Sequence, residues 1–465
     1  MKADGMNVLL IGIDTLRADH LRCYGYARKT SPNIDKLAES GVLFLKAFAP
    51  GIPTHPGWTT ILTGMHPINH EIVCHVGNKK LDDRIPMIQE VLKENGYVTA
   101  AVDNLGLWFR RGFDYYIHPG GTPAPSGGLK VQADEINTKA INWLKKWAVN
   151  KKKNFFLFLH YWDPHTPYIP PSPYDQMYYE GDKSNPMNRS MNKVKMISPL
   201  FVYKVKGGLT SQQARALYGD IDLSSLVKNV ATWYTKSFEE ITDVNYVIAQ
   251  YDGEIRYVDN KIGELIEFME NIGIYENTLI VLTSDHGESL TEHDISFEHH
   301  GLYDTVTHVP LIFHCPKKIT SGVKIRGLVQ HIDIAPTILE FLGIPKPASM
   351  EGRNLLNMIH SARHKGYNEI YLLENTFQCK RAIRTENWKL IETLKPDLYG
   401  MPKGFKELYD LKRDPSETVN LIASEKDIAK ELSERLEKWI KSQLKGRPDP
   451  LLVQESNLKK LWFGC

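Results

Sequence analysis

Short apolar segments recur along the chain, each separated from the next by a segment with one apolar helix face. The apolar segments are typical of strands buried on both faces of a parallel sheet, and they comprise Val8–Ile13, Phe155–Tyr161 and Leu279–Thr283. The spacing of apolar residues between them predicts helices at residues 31–41, 136–147 and 255–269. Strands that alternate with helices predict an α/β fold, with a mainly parallel sheet sandwiched by helices.

The pattern predicts two units, a larger one at residues 1–345 and a smaller one at residues 346–465. Within the larger unit, residues from about 170 to 245 lose the alternation and are rich in Pro, Tyr, Asn and Lys, which indicates an insertion.

The sequence pattern of the smaller unit predicts an α+β subdomain. Strand-like stretches lie near Arg381–Ile391 and Glu407–Leu411, and a helix with one apolar face follows them. The segment Ser424–Asp427 is similar to a capping box and predicts the start of that helix.

Acidic residues and histidines follow directly after the predicted parallel strands. They are Asp14, Asp163, His165, Asp285 and His286. Because ligands bind beyond the carboxyl ends of such strands, we expect these side chains at one edge of the sheet. An Asp-His pair supplies an oxygen and an imidazole nitrogen to a divalent metal, although such a pair alone is equally typical of a hydrogen-bonded turn.

Thr54 lies in a Gly- and Pro-containing loop, just before a helix predicted to begin near Trp58. A hydroxyl at a helix N-terminus can bind a metal, which lowers its pKa, and can attack an anion held by backbone N–H groups. The alternative interpretation is that Thr54 is an N-cap residue only.

A series of segments resembles, in the right order, the landmarks of sulfatases and related hydrolases of the alkaline phosphatase superfamily. They are NVLLIGIDTLRADHLRCYGY, PTHPGWTTILTG, LHYWDPHTPY, SDHGESLTEH, EHHGLYDTVTHVPLIF, HIDIAPTILEFLGI, AIRTENWKLI and KELYDLKRDPSETVNL. The resemblance implies an alkaline-phosphatase-like fold. It also implies that Asp14, Asp285 and His286 are metal ligands, that Thr54 is both nucleophile and ligand, and that His165 is a catalytic residue that contacts the anionic group.

The chain departs from the sulfatase pattern at informative positions. Sulfatases carry a Cys or Ser that is converted to formylglycine in a C/S-x-P-x-R motif, whereas this chain has Thr54 and Trp58 there. Oxidation of a threonine would give a ketone, so we expect no formylglycine. Thr15 replaces the second Asp of the metal motif, which argues against calcium and favours one divalent ion, Mn²⁺, Zn²⁺ or Mg²⁺.

An unmodified Thr with two Asp and one His is similar to the phosphodiesterases, phosphonate hydrolases and phosphoethanolamine transferases of the superfamily. This resemblance implies that His299, or its neighbour His300, contacts the anion or the leaving group; the alternative is a structural His pair. Asn104, which replaces a family Lys, is a further candidate for substrate binding, as are Asp163 and His293. Whether a second metal is bound by His293, His299 and His300 stays an open question.

These resemblances predict a metal-dependent hydrolase that uses Thr54 to cleave phosphodiesters or phosphonate monoesters. One alternative is a sulfuric ester hydrolase that works without formylglycine. The other is a catalytically inactive homologue that only binds ligands, since folds can outlive functions.

Charge and cysteine content narrow the expected partners. The 465 residues include 57 Lys and Arg against 55 Asp and Glu, so no bulk attraction to nucleic acid is expected. The five cysteines are widely spaced, which predicts reduced thiols.

The N-terminal apolar run ends at Asp14, too early for a signal peptide or a membrane span. We therefore expect a cytoplasmic protein with a small anionic ester as substrate and no membrane partner; the sequence is compatible with a homo-oligomer.

Overall fold

An eight-stranded sheet forms the centre of the computed structural model, which describes residues 5–75, 79–123, 129–149, 153–194, 241–361, 365–397 and 399–454. From edge to edge its strands are β13 (Val323–Ile325), β2 (Val42–Phe44), β12 (Leu311–His314), β10 (Thr278–Thr283), β1 (Asn7–Ile13), β9 (Phe155–Tyr161), β5 (Val98–Val102) and β6 (Tyr115–Ile117). Strand β12 is antiparallel to both neighbours, and all other pairs are parallel. The predicted α/β class with a mainly parallel sheet is confirmed.

Three smaller sheets accompany the central one. The five-stranded sheet contains β18 (Lys406–Asp410), β17 (Trp388–Thr393), β16 (Cys379–Thr385), β15 (Glu369–Asn375) and β4 (Gly51–Ile52). The others contain β11 (His308–Val309), β3 (Ala47–Phe48) and β14 (Val329–Gln330), and β7 (Thr122–Pro123) and β8 (Leu129–Lys130).

The α-helices vary from single turns to long amphipathic segments. They are α1 (Pro32–Glu39), α2 (Thr54–Thr63), α3 (Pro67–His70), α4 (Ile88–Glu94), α5 (Ala133–Val149), α6 (Val244–Asn271), α7 (Asp304–Thr307), α8 (Ile334–Phe341), α9 (Leu356–Ser361), α10 (Lys426–Leu444) and α11 (Pro450–Val453).

Alternating side chains of the central strands fill two apolar cores. In β1, Val8 and Leu10 belong to one core, and Leu9, Ile11 and Ile13 belong to the other. Helices α2, α4 and α8 pack in the first core, and α1, α5 and α6 pack in the second. A sheet covered on both faces requires apolar strands, which is why these strands could be recognised in the sequence.

The predicted parallel strands are confirmed, with small differences at their ends. Strand β9 begins and ends where predicted, and β1 and β10 each begin one residue earlier. The helix predicted at residues 255–269 is longer, because α6 begins at Val244 with Asp243 as a side-chain N-cap.

The C-terminal sheet differs in detail from the prediction. The stretch predicted near Arg381–Ile391 is a hairpin of β16 and β17, since Asn387 lies in the turn between them. The capping-box prediction at Ser424 is wrong. Glu425 is the N-cap residue of α10, and Ser424 Oγ donates to Leu421 O.

A short strand from the N-terminal part of the chain completes the C-terminal sheet. Strand β4 pairs in parallel with β15, with Gly51 opposite Leu373 and Ile52 opposite Glu374. This pairing joins residues on both sides of the predicted boundary at 345/346, and the division into two units stays a prediction.

Much of the predicted insertion at about 170–245 cannot be compared with the structure, because residues 195–240 lie outside the described residues. Among the helices that the structure describes, none is both long enough and apolar enough to cross a bilayer.

Buried charges also join the C-terminal sheet to the rest of the fold. Lys389 Nζ in β17 lies 2.6 Å from Asp304 Oδ1 at the start of α7, and 2.7 Å from Glu417 Oε1. Arg384 Nη2 in β16 lies 2.9 Å from Asp304 Oδ2. Lys389 and Glu417 are almost fully buried, so each charge depends on its partners for compensation.

We predict that Lys389→Met lowers the free energy of unfolding by about 3–5 kcal/mol, because it leaves the buried Glu417 carboxylate without its cation and Asp304 with Arg384 alone. Urea denaturation of the purified protein measures the change. The matched control is Lys441→Met, since Lys441 is exposed and its Nζ lies 3.7 Å from an exposed Glu437. A Lys389 variant as stable as the control would contradict the prediction.

Candidate active site

The carboxyl ends of two adjacent parallel strands bring polar side chains together. Asp14 follows β1, and Asp285 and His286 follow β10 after one intervening residue. All three are fully buried, and each offers a ligand atom that lies within 4.8 Å of the others. The structure thus brings together Asp14, Asp285 and His286, the three residues whose Asp and His side chains were predicted to bind a metal.

The donor set of this cluster fits a divalent metal ion. His286 Nδ1 donates to Gly287 O at 2.9 Å, which leaves Nε2 as the lone-pair nitrogen. That Nε2 lies 3.3 Å from Asp285 Oδ2 and 3.9 Å from Asp14 Oδ1. Within the described residues, Asp14 Oδ1 and Asp285 Oδ2 are buried without a hydrogen-bond partner, which is costly unless a cation binds them.

The electrostatics of the cluster follow from burial and like charge. Burial raises the pKa of Asp285 well above its usual range, and the charge of Asp14 raises it further. Burial alone would also raise the pKa of Asp14, but the hydrogen bond from His160 and the charges of His165 and His286 lower it. Burial lowers the pKa of His286 to about 4, so this imidazole is neutral at neutral pH and can act as a ligand.

Thr54 is the first residue of α2, which therefore begins earlier than the predicted start near Trp58. Pro53 is the N-cap residue and no side chain caps the helix, so the N-cap interpretation of Thr54 is wrong. Instead, Thr54 Oγ1 lies 3.3 Å from His286 Nε2. The hydroxyl thus lies beside the metal-ligand cluster, at the positive end of a helix.

Two glycines allow α2 to approach the ends of the strands. A Cβ on Gly57 would lie 2.9 Å from Asp285 O, and a Cβ on Gly12 would overlap the indole of Trp58. The absence of side chains at Gly12 and Gly57 therefore sets how close Thr54 comes to the cluster.

The two predicted catalytic histidines lie side by side next to the cluster. The ring of His299 stacks on His286 at a centroid distance of 4.8 Å, and the ring of His165 lies 5.2 Å from His299. His165 Nδ1 donates to Thr166 O at 2.6 Å, which leaves Nε2 as its other nitrogen. Burial lowers the pKa of His299 well below its usual range, and the neighbouring histidines lower it further.

His300 is more deeply buried than His299 and contacts the C-terminal sheet. Its Nε2 lies 3.4 Å from Glu298 Oε2, and its Nδ1 lies 4.0 Å from Glu374 Oε1 in β15. Phe377 lies edge-on to the ring at 5.1 Å. A role of His300 in substrate binding stays a prediction.

His293 belongs to the loop that also carries His299 and His300. Its ring stacks on Tyr303 at 3.5 Å, and its backbone is left-handed, with φ of 57°. Burial lowers its pKa to about 4, and the charges that act on it include those of Lys389 and Glu407 in the C-terminal sheet. These contacts support the fold, and the predicted role in substrate binding has no further support.

The side chains of Asn104 and Asp163 accept hydrogen bonds from neighbouring segments. Asn104 Oδ1 accepts a hydrogen bond from Trp162 Nε1, and Asp163 Oδ2 accepts one from Ala133 N at the start of α5, at 2.9 Å. Both residues lie beyond the ends of strands at the predicted edge, and their contact with substrate stays a prediction.

The sequence interpretation missed a histidine within a strand. His160 in β9 is fully buried, and its Nε2 lies 3.3 Å from Asp14 Oδ2 while its Nδ1 lies 2.8 Å from Asp103 Oδ1. Burial alone would lower the pKa of His160, but the two carboxylates raise it to about 10. A polar residue inside an otherwise apolar strand was the signal that could have found it.

Two further polar residues near the cluster were also missed. Glu288 is buried without a hydrogen-bond partner for its carboxyl group among the described residues, and its Oε2 lies 4.0 Å from His299 Nδ1. His75 lies 4.0 Å from His55 between ring centroids, and burial lowers its pKa to about 4. Glu288 could have been noticed because it directly follows the Asp-His-Gly segment.

Known proteins are similar to this chain over most of its length. The family model described as sulfatase matches residues 6–344, and the model described as N-sulphoglucosamine sulphohydrolase, C-terminal, matches residues 291–442. A sulfatase of Formosa agariphila is 26% identical over 462 residues, which cover 90% of this chain and 83% of the relative.

Solved structures of related enzymes share the fold. A structure in complex with its substrate D-glucosamine-2-N,6-O-disulfate superposes with a TM-score of 0.72 at 22% identity, covering 96% of this chain and 99% of the other. The phosphonate monoester hydrolase of Agrobacterium radiobacter superposes with a TM-score of 0.70 at 22% identity, covering 94% and 96%. At this identity the structures establish the fold alone.

We predict that the melting-temperature difference between Mn²⁺-loaded and chelator-treated protein widens as pH rises from about 5 to about 8. Without metal, the raised pKa of Asp285 makes its contribution to stability largest at low pH, and this contribution is lost as pH rises through that pKa. Metal binds the ionised form, so its stabilising effect grows over the same range.

Thermal unfolding at several pH values measures this difference. Asp285→Asn is the control, because it removes the titrating group and one ligand, and it should show a small difference that does not change with pH. A wild-type difference that is constant with pH would contradict the prediction.

Proposed function

This chain belongs to the sulfatase family of ester hydrolases, and we propose that it is a metal-dependent enzyme that cleaves phosphodiesters or phosphonate monoesters with Thr54 as nucleophile. The observation that supports this most is the position of Thr54 Oγ1. It lies 3.3 Å from His286 Nε2, beside Asp14 and Asp285 and at the first residue of a helix. A hydroxyl in this place suits attack on an anionic ester.

The residues that would hold the ion are Asp14, Asp285, His286 and Thr54. When bound, a divalent ion supplies positive charge that lowers the pKa of the Thr54 hydroxyl and neutralises substrate oxygens. We propose Mn²⁺, Zn²⁺ or Mg²⁺, in that order, because oxygen donors and one imidazole suit these ions.

In the proposed reaction, the Thr54 hydroxyl loses its proton to solvent, and Oγ1 then forms a bond to phosphorus while the bond to the leaving oxygen breaks on the opposite side. His165 is the candidate that gives a proton to the leaving oxygen. Water then attacks the same phosphorus, which releases the Thr54 alkoxide and the phosphate monoester or phosphonate product. His299 is the candidate that accepts the proton of this water, because its ring stacks on His286 beside the candidate metal ligands.

The chemistry of threonine favours a phosphorus ester. A hydrated aldehyde has a second hydroxyl whose loss of a proton can expel a bound acid anion, whereas an ester of Thr54 has no second hydroxyl. Water must therefore make a second in-line attack, and sequential displacement of this kind is typical of covalent phosphoryl transfer.

A sulfuric ester is the second candidate substrate. The relative from Formosa agariphila is named a sulfatase, and a structural neighbour was solved with a disulfated glucosamine as its substrate. Sulfuryl and phosphoryl groups share tetrahedral geometry, so the ligands of this site would accept either group. An inactive binding homologue is less favoured, because Thr54 lies in a reactive position.

We propose a cytoplasmic location, which the cysteines support. Cys23, Cys315 and Cys379 are free thiols, as expected in a reducing compartment.

We predict that Thr54→Ala lowers kcat/KM for a phosphodiester or phosphonate monoester by about three orders of magnitude or more. Steady-state assays with nitrophenyl monophosphate, bis-nitrophenyl phosphate, a nitrophenyl phosphonate and nitrophenyl sulfate, each with Mn²⁺, Zn²⁺ or Mg²⁺, measure the effect. The matched control is Thr63→Ala, which removes a buried hydroxyl at the other end of α2.

The assays separate the nucleophile from the substrate class. Full activity of the Thr54 variant would overturn the assignment of the nucleophile. Thr54-dependent cleavage that is fastest with the sulfate would retain the nucleophile and replace the proposed phosphorus ester with a sulfuric ester.

A further inference from the structure

A chain of hydrogen bonds and ion pairs crosses four adjacent strands of the central sheet at the edge where the site lies. It begins in β6, where the Tyr116 hydroxyl donates to Asp103 Oδ2 just after β5. Asp103 Oδ1 lies 2.8 Å from His160 Nδ1 in β9, and His160 Nε2 lies 3.3 Å from Asp14 Oδ2 after β1. Asp103, His160 and Asp14 are fully buried, so the contacts among these three residues have no competition from solvent.

The backbone holds the imidazole of His160 in register with β1. His160 lies opposite Gly12 in the parallel pairing of β1 and β9, and Asp14 N donates to Tyr161 O at 2.8 Å. The position of His160 relative to Asp14 is therefore set by the sheet itself.

Aromatic side chains restrict the ring of His160 further. Trp58 lies edge-on to it at 4.9 Å, and Trp162 lies 5.4 Å away. Trp58 occupies the position where the sulfatase motif has Arg, and it brings no charge to the site. Among the described residues, the imidazole that lies next to Asp14 Oδ2 is that of His160. It comes from strand β9 and not from the loop that carries Thr54.

The two oxygens of Asp14 have different surroundings. Oδ1 lies 3.9 Å from His286 Nε2, on the side of the proposed metal ligands, whereas Oδ2 lies on the side of His160. A carboxylate that gives one oxygen to a metal commonly has its other oxygen fixed by a neighbouring donor.

We propose that His160 is a positioning residue: by donating to Asp14 Oδ2 it fixes the carboxylate so that Oδ1 faces the metal, while Asp103 and Tyr116 fix the imidazole. This inference rests on the proposed metal-dependent function. His160 acts through Asp14 and contacts neither the metal nor the substrate.

The test measures Mn²⁺ affinity by calorimetry without substrate, for wild type, His160→Ala, His160→Gln and Asp103→Asn. Loss of such a donor typically weakens metal binding about 10–100-fold, which we expect for His160→Ala. His160→Gln keeps an N–H donor of similar reach and should recover part of the loss. Asp103→Asn leaves His160 in place but weakens its orientation, so it should bind Mn²⁺ less tightly than wild type; it also serves if the alanine variant does not fold.

The control for a merely structural role is His314→Gln. His314 is a buried histidine of the same sheet, in β12, and it bonds with Tyr275 and Ser40. This variant should unfold at a lower temperature and bind Mn²⁺ as tightly as wild type. If the affinity of the His160 variants falls no further than that of His314→Gln, the inference is overturned.

Asp14→Ala separates this inference from the proposed function. If Asp14→Ala binds Mn²⁺ like wild type, the metal site itself is wrong and the proposed function fails with it. If Asp14→Ala loses Mn²⁺ but His160→Ala keeps wild-type affinity, only the positioning role fails. Loss of all binding in His160→Ala, as complete as in Asp14→Ala, would make His160 a direct ligand and also overturn the inference.

Discussion

Two carboxylates of like charge lie next to each other in a fully buried position, and the rest of the site is arranged around them. Because β1 and β10 are adjacent parallel strands, Asp14 and Asp285 must meet where these strands end. Two ionised carboxylates cannot remain together in a low-dielectric interior unless positive charge reaches them. The imidazole of His160 brings positive charge to Asp14 from one side. The neutral imidazole of His286 lies on the other side, and the hydroxyl of Thr54 is held against it.

The sequence predicted the parts of the fold that depend on local pattern. Apolar strands such as β9 and the acidic residues that follow them could be recognised, because burial on both faces and position after a strand are visible along the chain. It could not predict contacts set by register between distant strands. His160 meets Asp14 only because β9 lies beside β1, and the close approach of α2 to the end of β10 depends on the absence of a side chain at Gly57, next to Asp285.

The C-terminal sheet supports the histidine loop of the site. Gly301 N donates to Glu374 at 3.1 Å, directly after the two histidines, and the Tyr303 hydroxyl donates to Glu407 at 2.7 Å. Together with the ion pairs of Asp304, these contacts fix the loop that carries His299. These contacts cross the predicted boundary at 345/346, so the loop and the sheet that supports it lie on opposite sides of that boundary.

The pairing of β4 with β15 has a consequence for how the protein is made. Gly51 and Ile52 lie just before Thr54 and pair with Leu373 and Glu374, which are far along the chain. During synthesis from the N-terminus, the segment that carries Thr54, the proposed nucleophile, must wait until most of the polypeptide has left the ribosome before it gains its partner strand. Until then β4 is an unpaired edge, and a nascent chain that stops early exposes it to other molecules. Catalytic competence is therefore a property of the finished chain rather than of its first part.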